Sequence, residues 1–150
     1  MASIRQDITT TAAPDDVWAA LRDFGAPHER LVRGFVTDTE LDGDERVVTF
    51  FTGARVRERL VGVDDEHRRL AYAILDGFEH YNGSAQVRPD GAGSRLTWIV
   101  DVLPDGAADS VRPLMEHGAK AMRETLDAMS PVTSSHDADG VGPTSGRVAR

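Results

Sequence analysis

The strongest constraint on the fold is a change of hydrophobic period along the chain. Between Phe35 and Val102 apolar and polar residues alternate, and short turn signals such as Asp76-Gly77 interrupt the alternation. This pattern predicts about six strands joined by short connections, which is typical of an antiparallel meander. After Pro104 the period becomes helical, because apolar residues recur at helical spacing between Val111 and Met129. The sequence therefore predicts a sheet followed by one long helix.

The segment before the meander predicts one strand and two helices. Residues 4–10 alternate as a strand. The stretch A-A-P-D-D-V-W-A-A-L-R-D-F then places Pro14 in a first helical turn, with Asp15 and Asp16 where the helix dipole favours negative charge. The stretch H-E-R-L-V-R predicts a second, short helix. Strands followed by a long helix that covers one sheet face define an α+β architecture.

The composition predicts a single folded domain and a tail. A chain of 150 residues that is 40% hydrophobic suits one globular domain with one core. From Pro131 onward the sequence is small, polar and rich in Gly, Ser and Pro, so it buries too little apolar surface to offset its ordering entropy. We therefore expect a folded domain over residues 1–130 and a disordered tail over residues 131–150.

Charge and missing motifs exclude several function classes. The net charge of −8 disfavours nucleic acid and anionic membranes as partners. No apolar run is long enough for a signal peptide or a membrane span, so we expect a cytoplasmic protein without membrane insertion. We also expect a monomer or a weak homodimer. The chain has no cysteine, no histidine pair with metal-ligand spacing and no nucleotide or hydrolase motif, so we predict no metal and no cofactor.

The stretch V-R-E-R-L at positions 56–60 places a carboxylate on a face that should be buried. If it is a strand, the arginines that flank Glu58 share one face, while Val56, Glu58 and Leu60 share the other. One interpretation makes Glu58 a general acid or base, or a group that holds a ligand hydroxyl. The alternative is a structural ion pair with an arginine or tyrosine of a neighbouring strand. The sequence leaves both open.

Other polar and small residues fall on inward faces too. The predicted inward polar groups are Gln6, Thr37, Thr39, Tyr72 and Tyr81. Small residues at Gly83, Ala85 and Gly118 are expected to leave space where the sheet meets the helix. The third strand, R-V-V-T-F-F-T, is apolar on both faces, so its inward face is not assigned. An apolar hollow with a few converging polar groups is the usual anatomy of a small-molecule site, and this pattern predicts a cavity.

Several segments of the chain resemble a known family. The segments T-T-A-A-P-D-D-V-W-A-A-L-R-D-F, V-R-E-R-L-V-G-V-D-D and H-Y-N-G-S-A-Q-V-R-P-D-G-A-G-S-R-L-T-W, together with the closing helix, look like the polyketide cyclase/dehydrase branch of the START-like (SRPBCC) superfamily. The resemblance runs from Ser3 to Met129. It implies a helix-grip fold, in which a seven-stranded antiparallel sheet wraps a long C-terminal helix around a deep ligand cavity. Members of that superfamily include aromatase/cyclases, lipid and hormone carriers and quinone-binding proteins.

The candidate site follows from these faces and from the resemblance. Glu58 and Tyr81 are the candidate catalytic residues, since an acid/base group and a hydroxyl that polarises a carbonyl suit cofactor-free cyclisation or dehydration. The candidate ligand-binding residues, which include a methionine of the helix stripe and a histidine at the cavity rim, are Gln6, Thr39, Tyr72, Trp98, Val100, Gly118, Met122 and His28. For Trp98 ordinary core packing is the simpler interpretation, and for His28 it is solvation.

The leading hypothesis is a protein that binds a hydrophobic or aromatic small molecule between the sheet and the C-terminal helix. It includes cyclisation or dehydration of a polyketide-like substrate, with most catalysis supplied by positioning and exclusion of water. Two alternatives stay open. One is a non-catalytic carrier or sensor of lipids or other small molecules, and the other is an interaction module whose interior is solidly packed.

Overall fold

The computed structural model describes residues 1–139, and these residues form seven strands and three α-helices. The strands and helices, in chain order, are β1 (Ala2–Thr10), α1 (Pro14–Arg22), α2 (Pro27–Arg30), β2 (Val36–Asp42), β3 (Glu45–Phe50), β4 (Arg55–Asp64), β5 (Arg69–Ile74), β6 (His80–Asp90), β7 (Gly93–Leu103) and α3 (Ala108–Asp139). A short 3-10 turn at Asp105–Ala107 leads into α3. The predicted order of elements is confirmed.

All seven strands form one antiparallel sheet in the order β1-β7-β6-β5-β4-β3-β2. Strands β2 to β7 therefore pair as a meander, and β1 closes the far side by pairing with β7. The short connections make this topology possible, because antiparallel neighbours need no crossover. The α+β class and the seven-stranded sheet agree with the sequence prediction.

The inward faces lie where the alternation placed them on most strands. In β4, Glu58 is buried while Arg59 beside it is exposed. In β6, Tyr81, Ala85 and Val87 are buried on one face, as predicted. One face of each strand thus contributes to a single core, which the main helices cover.

The first part of β2 departs from the prediction. The pairing with β3 shifts register between Val36 and Asp38, and a bulge of this kind changes the face on which the following residues lie. Thr37, predicted to face inward, is therefore exposed, and Val36 is buried. Leu41 is also exposed, because β2 is the edge strand and few elements cover its end.

Helix α3 lies against the sheet through one apolar stripe. The buried side chains of this stripe are Ala108, Val111, Met115, Ala119, Met122 and Leu126. The helical backbone continues to Asp139, past residue 130, where the composition predicted a disordered tail. Helical hydrogen bonds are local, so a backbone can remain helical without burying an apolar face. The domain boundary at residue 130 stays a prediction, and residues 140–150 lie outside the described residues.

A polar clip fixes α3 to the end of β1. The Asp127 Oδ1 atom accepts hydrogen bonds from the Thr10 hydroxyl at 2.6 Å and from the Thr11 amide at 3.1 Å. One turn earlier, Arg123 Nε donates to the Thr9 carbonyl oxygen at 3.3 Å. These bonds position the helix along the sheet, and with it the apolar stripe that faces the interior.

Removal of the Asp127 carboxylate should loosen this clip. We expect Asp127→Ala to lower the free energy of unfolding by about 1–3 kcal/mol, because hydrogen bonds to a charged group are lost and the hydroxyl of the buried residue Thr10 loses its acceptor. Urea denaturation measures the change. Glu124→Ala is the matched control, since Glu124 is exposed on the same helix. Equal effects of the two substitutions would contradict the assignment.

Candidate ligand cavity

A cavity of about 250 Å³ lies between the inner face of the sheet and helix α3. Its wall is mostly apolar and comes from nearly every element, since it is lined by Leu21, Pro27, Leu31, Val32, Phe35, Val36, Arg46, Val48, Phe50, Phe51, Thr52, Ala54, Val56, Glu58, Leu70, Tyr72, Ile74, Phe78, Tyr81, Trp98, Val111, Leu114, Met115 and Met122. A single water needs on the order of 30 Å³. The interior is therefore hollow, which is contrary to the interaction module with a packed interior.

The mouth of the cavity lies between the β3–β4 turn and the first turns of α3. Phe51 and Leu114 line the cavity and are about half exposed, at 46% and 50%. The His117 ring packs on Phe51, with centroids 4.6 Å apart, and on Phe35 at 5.3 Å. His117, itself exposed, is thus part of an aromatic cluster with Phe35 and Phe51 at the entrance.

The cavity contains a buried ion pair between Arg46 and Glu58. The Glu58 Oε1 atom accepts from Arg46 Nε at 2.7 Å and also lies 2.7 Å from Arg46 Nη2. The side chains are 12% and 8% exposed. Arg46 also donates from Nη1 to the Phe24 carbonyl oxygen at 3.1 Å, and its guanidinium carbon lies 3.9 Å from the centroid of the Phe24 ring. Both charges are therefore compensated inside the protein.

Strand register brings the two charges together. Arg46 of β3 is directly opposite Glu58 of β4, and directly opposed residues have their side chains on the same face of the sheet. Of the two interpretations of Glu58, the ion pair with a neighbouring strand is thus present. Arg46 was not predicted from the sequence as the partner of Glu58, because the inward face of β3 was not assigned. The pairing is symmetrical about Thr52, since the Phe50 amide donates to the Ala54 carbonyl oxygen. A two-residue turn at Thr52-Gly53 would instead pair residue 46 with residue 59, so the turn signal alone does not identify Arg46 as the partner of Glu58.

Two tyrosines and a tryptophan form a second polar group in the cavity. The Trp98 Nε1 atom donates to the Tyr72 hydroxyl oxygen at 3.0 Å. The Tyr72 and Tyr81 rings lie 6.3 Å apart by their centroids. Burial raises the pKa of Tyr72 and of Tyr81 well above the ordinary tyrosine value, and the negative charge of Glu58 adds to both shifts. Both hydroxyls therefore stay protonated at neutral pH.

Glycine positions in the wall are occupied by aromatic rings. A Cβ atom at Gly83 would lie 2.3 Å from Tyr72 Cζ, and one at Gly118 would lie 3.1 Å from Phe35 and 3.2 Å from Trp98. Both contacts are too close for an unshifted side chain. The expectation that these glycines leave open space is therefore wrong. Because these positions have no Cβ atom, the aromatic rings lie directly against the backbone, and the cavity lies on the other side of those rings.

Five of the predicted site residues come together at the cavity wall: Glu58, Tyr72, Tyr81, Trp98 and Met122. Five others lie outside it: Gln6, Thr39, Val100, Gly118 and His28.

Each of those five has a different environment. The His28 Nδ1 atom lies 3.1 Å from the Thr39 hydroxyl, so these two residues join α2 to β2 beside the cavity. Gln6 is half-buried on β1, opposite Trp98. Val100 is fully buried in the core, and Gly118 contacts the back of the Trp98 ring. Whether any of the ten predicted residues binds a ligand stays a prediction.

The described part of the chain has neither a cluster of metal ligands nor a membrane-spanning helix. Within residues 1–139, no group of three or more His, Asp or Glu side chains has the geometry to hold a metal ion. None of the helices in this same part of the chain is long and apolar enough to cross a bilayer.

The sheet, the gripped helix and the cavity define a ligand-binding helix-grip fold. The model of the family described as "Polyketide cyclase / dehydrase and lipid transport" matches residues 1–132. The chain belongs to this family, which confirms the predicted resemblance. No curated protein is significantly similar to the chain in sequence.

Solved structures with the same fold come from distant proteins. XoxI from Bacillus cereus is 20% identical, with a TM-score of 0.74 over 84% of this chain and 96% of that one. A protein from Thermobifida fusca is 24% identical, with a TM-score of 0.68 and coverages of 85% and 91%. Norcoclaurine synthase from Thalictrum flavum, solved with a transition-state analogue, is 25% identical, with a TM-score of 0.60 and coverages of 86% and 96%. These similarities support the helix-grip architecture.

The buried ion pair should show strong coupling between its partners. We expect Arg46→Met and Glu58→Met to lower the free energy of unfolding by about 3–5 kcal/mol each, because each leaves one buried charge unpaired. The double variant should lose much less than the sum, since no uncompensated charge remains. Chemical denaturation of the four proteins measures the cycle. Additive effects would mean that the two side chains do not interact in solution.

The Gly83–Tyr72 contact can be tested through the two tryptophans. We expect Gly83→Ala to displace the Tyr72 ring and break its hydrogen bond from Trp98, lowering stability by roughly 1–3 kcal/mol through overpacking. The indole N–H resonance of Trp98 should move upfield in an NMR spectrum. Trp18 provides an internal control, because its indole donates to Asp65 at 2.9 Å, remote from this contact. An unchanged Trp98 resonance would contradict the contact.

Proposed function

We propose that this protein binds a hydrophobic or aromatic small molecule in the cavity between the sheet and α3. The observation that carries the proposal is the hollow itself, about 250 Å³ with an almost wholly apolar wall and its polar groups limited to a few side chains. Such a site provides affinity through apolar contact and orientation through a few hydrogen bonds. Membership of a family described by cyclase, dehydrase and lipid-transport activities supports it.

The cavity volume limits the ligand to a modest size. An apolar cavity of ~150 Å³ accommodates benzene. By the same measure a cavity of about 250 Å³ accommodates roughly ten non-hydrogen atoms, about two fused rings. A longer ligand extends through the mouth past Phe51 and Leu114, which are half exposed there.

The catalytic form of the proposal assigns Glu58 and Tyr81 to a cofactor-free cyclisation or dehydration. Glu58 takes a proton from a carbon between two carbonyl groups, and that carbon then attacks a third carbonyl while Tyr81 or Tyr72 donates a hydrogen bond to its oxygen. The proton returns to the new alkoxide and gives a β-hydroxy ketone. Glu58 then takes the remaining proton of the attacking carbon, a carbon–carbon double bond forms as the hydroxyl departs, and that proton leaves with the hydroxyl as water. The support is the convergence of one carboxylate and two protonated hydroxyls in a mostly apolar cavity.

A non-catalytic carrier or sensor is the second candidate, and the ion pair favours it. Two contacts of 2.7 Å from Arg46 hold the Glu58 carboxylate in a structural ion pair, which accounts for its burial without a catalytic role. In a carrier the polar groups only orient the ligand. The cytoplasmic location and the monomer or weak-homodimer state predicted from the sequence stay predictions.

Native mass spectrometry of freshly purified protein tests binding, since a ligand carried through purification adds a discrete mass. Cyclase activity is tested with a linear poly-β-ketone thioester, whose dehydration appears as loss of water. Lost turnover in Glu58→Gln with retained binding supports the enzyme, and unchanged turnover removes Glu58 from the chemistry.

Glu45→Gln is the control for both measurements. Glu45 is also an ion-paired glutamate of the same hairpin, but it binds Arg57 and Arg59 on the opposite face of the sheet. We expect it to bind and turn over as the native protein does. If the native protein binds ligand and shows no turnover above the uncatalysed rate, the carrier is the correct function.

A further inference from the structure

Charge compensation and unfilled hydrogen-bonding positions in the cavity point to a narrower class of ligand. We infer that the ligand is an uncharged compound with a hydroxyl group, a phenol or an enol, that donates to Glu58 and accepts from the Tyr72–Tyr81 pair. This inference rests on the proposed function, because it concerns the same cavity.

The first observation is a buried acceptor without a partner. Both contacts from Arg46 end on Glu58 Oε1. Among the described residues none donates a hydrogen bond to Glu58 Oε2, although Glu58 is only 6% exposed. A buried carboxylate oxygen left without a donor is costly. A ligand hydroxyl that enters the cavity satisfies it.

The second observation is a spare donor at the tyrosines. The Tyr72 oxygen accepts the indole N–H of Trp98 at 3.0 Å. The two tyrosine hydroxyls have two protons between them, and a hydrogen bond from one hydroxyl to the other can use only one of these protons. The other proton meets no acceptor within the described part of the chain. It is available to a ligand oxygen near Glu58, whose charge acts on both tyrosines.

The third observation excludes charged ligands. Arg46 directs its donors at Glu58 and at the Phe24 carbonyl oxygen and stacks on the Phe24 ring, so its guanidinium presents no free fork to a carboxylate or phosphate. The pair as a whole is neutral. An anionic or cationic ligand would therefore lose its hydration in an apolar cavity without gaining a free counter-charge. This disfavours fatty acids and amines.

A matched series of two-ring compounds tests the inference. All of its members fit the cavity, and they differ from one another only in the substituent at one ring position. The probes are naphthol, methoxynaphthalene, naphthalene and naphthoate, and NMR titration of the native protein gives their dissociation constants. We expect naphthol to bind about tenfold more tightly than methoxynaphthalene and naphthalene, from the hydrogen bond that they cannot donate. Naphthoate should bind most weakly. The inference would be overturned if naphthoate bound as tightly as naphthol or more tightly. It would also be overturned if methoxynaphthalene bound as tightly as naphthol.

Two variants of the ion pair sharpen the test. Glu58→Gln keeps an acceptor for naphthol but leaves the Arg46 charge uncompensated, so we expect naphthoate affinity to rise about tenfold while naphthol affinity changes little. The double variant Arg46→Met/Glu58→Met removes both charges and should bind naphthol and methoxynaphthalene equally, because both can still accept from the tyrosines and neither finds a carboxylate to donate to. Should the single variant not fold, the double variant still tests the hydroxyl preference. An unchanged preference there would overturn the role of Glu58.

Failure of the inference and failure of the proposed function give different results. Binding of naphthalene and methoxynaphthalene without any preference for naphthol overturns the inference and leaves the apolar cavity as a ligand site. No binding by any of the four compounds overturns the proposed function, and the inference with it.

Discussion

One buried ion pair determines what the interior of this protein can accept. Arg46 and Glu58 face each other across two strands, largely shielded from bulk water and among mostly apolar side chains. Because the charges compensate each other, the cavity keeps a carboxylate without becoming an anionic site. The contacts of Arg46 with Phe24 hold the arginine against the wall. The remaining Glu58 oxygen and the tyrosine hydroxyls are then the polar groups that a ligand meets.

Aromatic rings over glycines define the other side of the site. Tyr72 lies across Gly83, and Trp98 and Phe35 lie against Gly118, so backbone and ring approach more closely than any side chain allows. The indole of Trp98 then reaches the Tyr72 hydroxyl. The same aromatic residues thus pack closely against the glycines and also line the cavity beside them.

Local pattern predicted much of the fold because strand alternation and helical spacing report burial residue by residue. Glu58, Tyr72 and Tyr81 were assigned to the inward side on this basis, and they line the cavity. Arg46 was not predicted, because β3 is apolar on both faces and the alternation then does not show which face is buried. Thr37 was misassigned, because a bulge changes the alternation without a signal in the residue types.

The sequence by itself determined the seven strands, the long final helix, the family and the presence of a carboxylate on an inward face. Tertiary structure alone decided what that carboxylate does and where the space is. The partner of Glu58 depends on strand register, and the volume of the cavity depends on how rings from several strands pack over glycines. Both are sums of contacts between residues far apart in the chain, and hydrophobic periodicity, a local property, does not encode them.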